Sequence, residues 1–426
     1  MKRAVVIGGG WSGCSAALAA RKAGADVVLL EKTDLLLGLG NVGGIMRNNG
    51  RFTAAEENIA LGAGELFAIT DGCSRHRNLD FPGHKHASLY DVRKAEPRVR
   101  RLLEEKGVMI RTISRAVDVE QEGGLLKAIL LADGTRIEGD VFIETTGSTG
   151  PMGNCLAYGN GCCMCILRCP AFGPRVSITQ KAGKTDLMGS RADGSFGAFS
   201  GSCKLDKGSL SREIREELDE KGVVVLKLPP ELVNRAKLDI KVCRQYALPE
   251  YAENIILLDT GHAKLMTPFF PLEQLRRVPG LEDVRFVDPY AGGKGNSIRY
   301  LSVAERQNDL QVRGLPNLFC GGEKSGLFVG HTEAITTGNL AGWNAARYLK
   351  GLRTMELPEQ LATGDIISYT NRRMETAEGL RTRYTFAGDH YFQRMKERGL
   401  YSADPEEIAR RVKRTGLAGI FQEKVL

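Results

Sequence analysis

The 426-residue sequence contains no run near the ~18 consecutive apolar residues that a membrane-spanning helix requires. Its first residues, MKRAVVIGGG, lead directly into a strand-like segment and a glycine turn. The apolar core and the small-residue cleavage site of a signal peptide are missing there. Internal repeats and low-complexity segments are also absent. We therefore expect a cytoplasmic protein that has no membrane partner.

The sequence also has little excess of either charge sign. The net charge is +8, and the lysines and arginines are spread thinly rather than gathered into a basic arm. Such a surface permits RNA binding but does not indicate it. Apolar residues make up 42% and charged residues 26% of the chain, which excludes a wholly disordered protein.

Glycine and cysteine are abundant instead, with 51 and 10 residues. The glycines do not form a repeat, so they indicate tight turns and places where the backbone approaches a ligand closely. Five cysteines lie together in the segment 155–169. In a reducing compartment, such a cluster is more typical of metal or redox chemistry than of structural disulfides.

The N-terminus carries a nucleotide-binding pattern. Gly8, Gly10 and Gly13 fit G-x-G-x-x-G between a strand and an alanine-rich helix. The three glycines allow a tight turn, close approach of a pyrophosphate, and close packing of helix on strand. Glu31 ends the next strand, where a carboxylate can bind a ribose 2′-hydroxyl and disfavours the 2′-phosphate of NADP.

Two further segments indicate which dinucleotide binds. The strand at 141–147, VFIETTG, and the segment at 315–323, LPNLFCGGE, resemble the corresponding strands of two-dinucleotide-binding flavoproteins. This resemblance implies FAD and a glutathione-reductase-type fold, with Glu323 as the acid near the ribityl chain. The cofactor-binding residues that we expect are Gly8, Gly10, Trp11, Ser12, Gly13, Glu31, Lys32, Thr146, Gly147, Gly321, Gly322, Glu323, Gly330, Thr332 and Glu333.

A narrower resemblance covers the N-terminal unit and the segments 278–282, 317–322, 330–334 and 337–346. These segments resemble the GidA-related flavoproteins, and most of all the folate- and FAD-dependent tRNA (uracil-5-)-methyltransferases. Those methyltransferases use a thiol in an early loop, whereas residues 40–47 of this chain read GNVGGIMR and contain no cysteine. A second thiol motif of that family, Gly-Cys-Met-Pro, is absent too.

The cysteine segment allows three interpretations. Residues 162–170 contain C-x2-C-x3-C-P, the trailing part of a ferredoxin-type pattern. Cys162, Cys165 and Cys169 can hold an iron–sulfur cluster or zinc, with Cys155, Cys73, Cys203 or Cys243 as the fourth ligand. The same three thiols can instead exchange electrons with a flavin. In the third interpretation they only pack as small apolar side chains.

His331 is the remaining catalytic candidate. It lies at a glycine-rich helix start that should face the flavin pyrimidine, where a protonated imidazole would stabilise a reduced, anionic flavin. The alternative is a histidine that only bonds to the backbone of a loop.

The fold that we expect is α/β, with a Rossmann-like FAD-binding domain of the glutathione-reductase type, built from residues 1–150 and 290–350. Residues 151–289 should form an inserted α+β domain. Residues 351–426 should form a helical C-terminal extension, where Asp404 and Pro405 predict a helix start.

Our leading functional hypothesis is an FAD-dependent oxidoreductase whose flavin is coupled to the cysteines of the 155–169 loop, with a small-molecule or protein redox partner. The alternative is a methylenetetrahydrofolate- and FAD-dependent tRNA or rRNA uracil-5-methyltransferase, with tRNA as the partner.

Overall fold

A computed structural model describes residues 2–147, 172–191, 194–196, 198–199, 203–239, 244–266, 270–287, 298–299 and 301–426. Its strands are β1 (Arg3–Ile7), β2 (Asp26–Leu30), β3 (Ile45–Met46), β4 (Ser74–Phe81), β5 (His84–Tyr90), β6 (Met109–Arg111), β7 (Ala116–Glu122), β8 (Leu125–Leu131), β9 (Arg136–Glu138), β10 (Val141–Glu144), β11 (Leu187–Gly189), β12 (Ala198–Phe199), β13 (Cys203–Leu205), β14 (Val223–Lys227), β15 (Asn254–Asp259), β16 (Ala263–Leu265), β17 (Ile298–Arg299), β18 (Leu301–Val303) and β19 (Leu318–Cys320).

The helices are α1 (Trp11–Lys22), α2 (Gly40–Gly43), α3 (Gly50–Ala60), α4 (Glu65–Gly72), α5 (Val92–Glu105), α6 (Ile178–Lys181), α7 (Arg212–Lys221), α8 (Glu250–Glu253), α9 (Leu272–Leu275), α10 (His331–Lys350), α11 (Ala362–Arg373), α12 (Ala377–Arg381), α13 (Asp389–Glu397) and α14 (Pro405–Arg414). No described helix combines the length and the apolar character needed to cross a membrane.

A parallel five-stranded sheet organises the larger part of the molecule. Its strand order is β19-β10-β1-β2-β6. The central strands are continuous apolar runs because both faces of the sheet are covered. The helices α1 and α10 pack on one face, and the three-stranded sheet β7-β8-β9 packs with α6 on the other. The order changes direction at β1, which lies between β2 and β10, and ligands of open α/β sheets bind at such a switch point. The expected Rossmann-like fold is confirmed.

Two parallel helices pack on this sheet almost backbone to backbone. A Cβ on Gly338 of α10 would lie 2.3 Å from the Ser12 carbonyl oxygen, and one on Gly342 would lie 2.1 Å from the Ala16 carbonyl oxygen. Only glycine at these two positions of α10 lets α1 and α10 approach so closely. The contact brings the N-termini of both helices to the same edge of the sheet.

A separate antiparallel sheet, β13-β16-β15-β14, forms the main part of the segment between residues 203 and 287. Its inner face and the amphipathic α7 enclose an apolar core of their own, which includes Leu205, Ile214 and Leu265. By contrast, Ile178 and Ala182 of α6 pack in the core beneath the Rossmann sheet. The described part of the chain therefore has its separate core in the segment from 203 to 287.

The C-terminal segment is helical, as expected. The Asp404 carboxylate accepts a hydrogen bond from the Glu406 backbone N–H at 2.9 Å and caps α14, and Pro405 occupies the first turn. The chain then folds back on α1, where the N–H groups of Val425 and Leu426 donate to the Ala23 carbonyl. These residues place the end of the chain beside α1 and the five-stranded sheet.

Candidate functional site

In the glycine turn between β1 and α1, protein atoms crowd the first and the third glycine of the motif but not the second. A Cβ on Gly8 would lie 2.5 Å from the Thr145 carbonyl oxygen, and one on Gly13 would lie 1.8 Å from the Gly8 carbonyl oxygen. Around a Cβ on Gly10 there is no protein atom within 4 Å. The first and third glycines are therefore required by the fold, whereas the second one leaves space for a ligand.

The first turn of α1 presents polar atoms to this open space. The Ser12 side chain is buried, and its hydroxyl has no hydrogen-bond partner among the described residues. A Cβ on Gly321 would lie only 2.5 Å from that hydroxyl. A helix N-terminus with a buried, unpartnered hydroxyl beside two glycine turns fits the pyrophosphate of a dinucleotide.

Glu31 stabilises the same turn from the end of β2. Its carboxylate accepts hydrogen bonds from the N–H groups of Gly9 and Thr33, both at 2.8 Å. A carboxylate offers about four acceptor positions, so a ribose hydroxyl can bind as well. The neighbouring Lys32 instead donates to the Gly173 carbonyl at 2.7 Å, which directs its ammonium group to the loop at 173.

The residues at the C-terminal end of β10 line another side of the site. The Thr145 hydroxyl donates to the Gly8 carbonyl at 2.7 Å, and the Thr146 hydroxyl donates to Glu144 at 2.9 Å. Gly147 follows with a φ of +73°, a conformation that favours glycine. The Glu144 carboxylate is fully buried and accepts from the backbone N–H groups of Ile178 and Thr179, each at 2.8 Å.

The late strand β19 delivers Gly321 and Gly322 to the same edge of the sheet. The Gly322 N–H donates to the Thr337 hydroxyl at 2.8 Å, which ties this turn to α10. Glu323 follows and is half-buried. Lys324 is fully buried, and its ammonium group lies 2.5 Å from Asp186 and 3.7 Å from Glu144. Lys324 therefore forms a buried charge cluster with Asp186 and Glu144, next to the Gly321–Gly322 turn.

The N-terminus of α10 begins at Gly330 and His331. Gly330 has a φ of +149°, and a Cβ there would lie 2.0 Å from a Glu333 carboxylate oxygen. The buried Glu333 carboxylate accepts from the Arg51 guanidinium at 3.2 Å and from the Phe386 N–H at 2.8 Å. Glu333 thus fastens the helix start to the C-terminal segment. Thr332 is buried beside Met46.

His331 lies in an aromatic cluster that sequence reasoning did not find. The ring centroids of Trp11, Tyr90 and His331 are separated by 6.1, 6.1 and 6.2 Å. The Tyr90 hydroxyl donates to the Gly40 carbonyl at 2.7 Å and lies 3.4 Å from His331 Nδ1. Burial raises the pKa of Tyr90 well above its usual value, so the phenol stays protonated.

The early loop without a cysteine, which forms α2, lies directly against His331. A Cβ on Gly43 would lie 1.7 Å from His331 Cε1, so the imidazole packs on the α2 backbone. On its other side, α2 receives Lys204 and Lys264 from the antiparallel sheet. These two lysines and Tyr90 had no recognisable motif in the sequence, because three separate strands bring them to the loop.

Burial raises the pKa of three of the cysteines in the described residues and so disfavours their thiolate form. Cys14, Cys73 and Cys320 are buried free thiols, and Cys203 is buried as well. Burial raises the pKa of the Cys14 thiol to about 12, and that of Cys320 to about 12 as well. Within the described part of the chain, no group of three potential metal ligands occurs. The predicted catalytic and metal-binding residues Cys155, Cys162, Cys165 and Cys169 lie outside the described residues.

Comparison with solved structures shows which known fold this chain shares. The structure of Aquifex aeolicus GidA in one crystal form superposes with a TM-score of 0.65 at 18% sequence identity, covering 97% of this chain and 76% of that chain. A second crystal form of that protein gives a TM-score of 0.62 at 16% identity. The fold is therefore shared over nearly the full length of the described protein.

Curated relatives match over shorter segments. A methylenetetrahydrofolate–tRNA-(uracil-5-)-methyltransferase of Natranaerobius thermophilus is 35% identical over 94 residues, which is 22% of this chain and 21% of that protein. A tRNA uridine 5-carboxymethylaminomethyl modification enzyme of Thermus thermophilus is 35% identical over 102 residues, 24% of this chain and 16% of that protein. The match thus spans about a fifth of these relatives.

A family model covers most of the sequence. The model described as glucose inhibited division protein A matches residues 3–235 and 261–353, and so includes the glycine turn, β10, β19 and α10. It ends before the C-terminal helices. This coverage confirms the predicted resemblance: the chain belongs to the glucose inhibited division protein A family.

Proposed function

We propose that this protein binds FAD and uses it to modify tRNA at position 5 of a uracil base. The observation that carries the proposal is the convergence of two helix N-termini and three strand ends on the open space at Gly10. Oriented N–H groups and helix dipoles stabilise an anionic diphosphate at such a place. The cradle is lined by backbone, as a ligand that approaches the chain closely requires.

The stagger of the two helices supports a long dinucleotide. Gly338 of α10 lies beside Ser12 of α1, so α10 extends beyond the start of α1 by about 9 Å at the rise of an α-helix. The first helix would bind the pyrophosphate. The N-terminus of α10, with His331, would then face the flavin ring at the other end of the FAD molecule.

Bound flavin would supply hydride or electron transfer, and the residues of the chain would prepare the site for it. The α10 N-terminus provides partial positive charge, which favours a reduced, anionic ring. Trp11 and Tyr90 fix the His331 ring, and α2 covers it on one side. Together these residues would exclude water from the flavin ring and orient its polar edge.

The proposed substrate rests on the relatives. The two named above act on position 5 of uracil or uridine in tRNA, according to their names. This shared position favours the tRNA alternative over a general oxidoreductase. The early loop has no cysteine, and raised pKa values hold Cys14 and Cys320 in the thiol form. Cys14 and Cys320 are therefore poor candidates for the nucleophile of a methyl transfer through folate.

A second candidate keeps the cysteines of the 155–169 loop as electron carriers for the flavin. The sequence order favours it, since this loop follows the β10 exit directly. The proposed tRNA modification and this thiol relay are compatible, because a dithiol that is oxidised to a disulfide would give up the two electrons and two protons that reduce a bound flavin.

The first experiment is an absorption spectrum of the purified protein, followed by incubation with unmodified tRNA. We expect flavin bands and a new uridine derivative, detected by mass spectrometry of digested tRNA. Protein that stays colourless with added FAD contradicts the proposal. Serine variants at Cys162, Cys165 and Cys169 then test the relay: they should keep the flavin and lose turnover, and full turnover in all three would exclude it.

A further inference from the structure

A cleft of about 290 Å³ opens between the start of β4, the first turns of α5 and the end of α7. Its lining includes three cations, Arg75, Lys94 and Arg98, and the carboxylate of Asp219. These residues belong neither to the glycine turns nor to the helix starts of the proposed cofactor site. The cleft is therefore a separate feature of the fold, and its charges indicate the kind of ligand that it fits.

Two carboxylates beside the cleft are balanced by cations of their own. Asp219 lies 3.0 Å from Arg75 and 2.6 Å from Lys207. The fully buried Asp259 binds the same two side chains, at 2.6 and 2.7 Å. His76 also lies 3.0 Å from Asp259. Two negative charges thus meet two fixed positive charges, and this part of the cluster is close to neutral.

Lys94 and Arg98 lie one turn apart on α5 and add positive charge to the cleft. Lys94 is 3.9 Å from Asp91, but Arg93 already binds that carboxylate at 2.8 Å. The Lys94 side chain is 60% exposed. The Arg98 guanidinium donates to the Gly72 carbonyl at 2.8 Å, and it forms no ion pair with a carboxylate of the described residues. These two side chains therefore give the cleft a net positive charge that solvent can reach.

The positive surface continues along α5 to Arg101. Lys94, Arg98 and Arg101 follow one another at spacings of four and three residues, so they share one face of the helix. All three residues are exposed, and they span roughly 10 Å at the rise of an α-helix. Arg101 has no ion pair within the described part of the chain. Together the three residues form a row of cations, the α5 row, whose length fits a polyanion better than a single small anion.

The thiol that lines the cleft adds no negative charge. The Cys73 side chain is buried. Burial raises the pKa of this thiol and outweighs the opposite effect of the Arg98 guanidinium. The thiol therefore stays uncharged at neutral pH, and the neighbouring cations act on a ligand without competition from a thiolate.

The cleft lies one strand away from the aromatic cluster at His331. Ser74, a lining residue on β4, is the register partner of Tyr90 on β5. Neighbouring strands are about 5 Å apart. The Tyr90 hydroxyl in turn lies 3.4 Å from His331 Nδ1. A polyanion held at the cleft is therefore close to the start of α10.

We propose that the cleft and the α5 row bind backbone phosphates of the tRNA substrate, with Lys94 and Arg98 on the phosphate that enters the cleft. Arginine binds phosphate through two parallel N–H donors, and lysine binds it as a compact point charge. Such contacts position a nucleic acid without reading its sequence. The inference rests on the proposed function and names the surface that would hold the substrate.

The test measures the binding of mixed tRNA at several salt concentrations to Lys94→Met, Arg98→Met, Arg101→Met and the triple variant. Each single change should reduce the slope of log affinity against log salt by roughly 1, because one phosphate contact is lost. Arg98→Lys should keep most of the slope, since it keeps the charge. The control is Arg410→Met, which removes an exposed arginine from α14 and should leave the slope unchanged. An equal reduction in the control would overturn the proposal.

Binding of inorganic phosphate distinguishes RNA from free phosphate as the ligand. It is measured on the wild type and on the triple variant beside the tRNA titrations. The proposal requires the triple variant to lose tRNA affinity. If the wild type binds inorganic phosphate and the triple variant does not, while both bind tRNA equally well, free phosphate is the ligand and the proposal is overturned.

Flavin content and thermal denaturation of every variant separate this inference from the proposed function and from a folding defect. The Lys94 side chain is mostly exposed, so Lys94→Met keeps the test valid even where Arg98→Met loosens α5. Expected salt slopes in a protein without flavin would contradict the proposed function and support the inference. Wild-type slopes in flavin-bound variants that modify tRNA would do the reverse. A wild type that binds no tRNA at low salt would also overturn the inference.

Discussion

A Cβ placed on Gly338 would lie 2.3 Å from the carbonyl oxygen of Ser12, so α10 and α1 touch almost backbone to backbone at this pair. The contact sets the relative height of the two helix N-termini. Any side chain at 338 would push the N-terminus of α10 away from the N-terminus of α1. The geometry of the proposed cofactor site therefore depends on glycine at position 338.

The first prediction follows from this contact. Gly338→Ala should destabilise the protein by roughly 1–3 kcal/mol through overpacking. At an exposed helix position the same change would stabilise by about 1 kcal/mol, so the sign of the effect identifies the cause. Urea denaturation measures it, with Lys350→Ala at the exposed end of α10 as a control. A Gly338→Ala variant as stable as the wild type would show that the two helices can separate without cost.

The second prediction separates a glycine that the ligand needs from one that the fold needs. Gly10→Val should leave the stability of the apoprotein within about 0.5 kcal/mol, because no protein atom surrounds a Cβ there and Gly10 has a φ of −67°. The valine should nevertheless block the pyrophosphate and abolish flavin binding. Gly13→Ala should destabilise the apoprotein itself, since its Cβ would meet the Gly8 carbonyl at 1.8 Å.

Flavin content and thermal denaturation of the two variants provide the measurement. Equal flavin in Gly10→Val and in the wild type would contradict the assignment of the turn. A stable, flavin-free Gly13→Ala variant would show that its effect lies in the ligand site rather than in the fold.

The sequence predicted the parts of the site that are encoded by short motifs of neighbouring residues. Gly8, Gly10 and Gly13 were recognisable because strand, turn and helix are adjacent in the chain, and β10 and β19 carry family-like segments. Tyr90, Lys204 and Lys264 were not predictable, since they reach α2 from strands distant in sequence. Glu333 illustrates a different limit: its place at a helix start suggested cofactor binding, whereas the structure shows its carboxylate buried with Arg51 and Phe386.

The third prediction concerns that buried ion pair. Arg51→Met should destabilise the protein by about 3–5 kcal/mol, because it leaves the fully buried Glu333 carboxylate without its cation. The exposed pair of Arg372 and Glu359 is the matched control, and Arg372→Met should cost less than about 1 kcal/mol. Denaturation in urea gives both values. Equal costs would mean that the C-terminal segment does not depend on Arg51 to hold the start of α10.

The last prediction is a dependence of stability on pH that originates at Asp259, at the end of β15. Burial alone would raise the pKa of Asp259, but hydrogen bonds from Lys207, Arg75 and His76 outweigh it and lower the pKa below its ordinary value of 3.8. A carboxyl group with a lowered pKa in the folded state contributes stability above its unfolded pKa, and loses it as the pH falls through the folded value. Asp259→Asn should therefore cost about 2 kcal/mol at pH 7 and progressively less at a pH below 3.8.

The measurement is the free energy of unfolding of wild type and variant between pH 7 and the acid limit of the folded state. Arg75→Met should reduce the same pH dependence, because Arg75 donates to Asp259 at 2.6 Å and joins β4 to β15. In the double variant with Asp259→Asn, Arg75→Met should cost less than it does alone, since the two side chains share one interaction. A constant difference between wild type and Asp259→Asn at every pH would contradict the ion network, and would leave only packing to hold β4 against the antiparallel sheet.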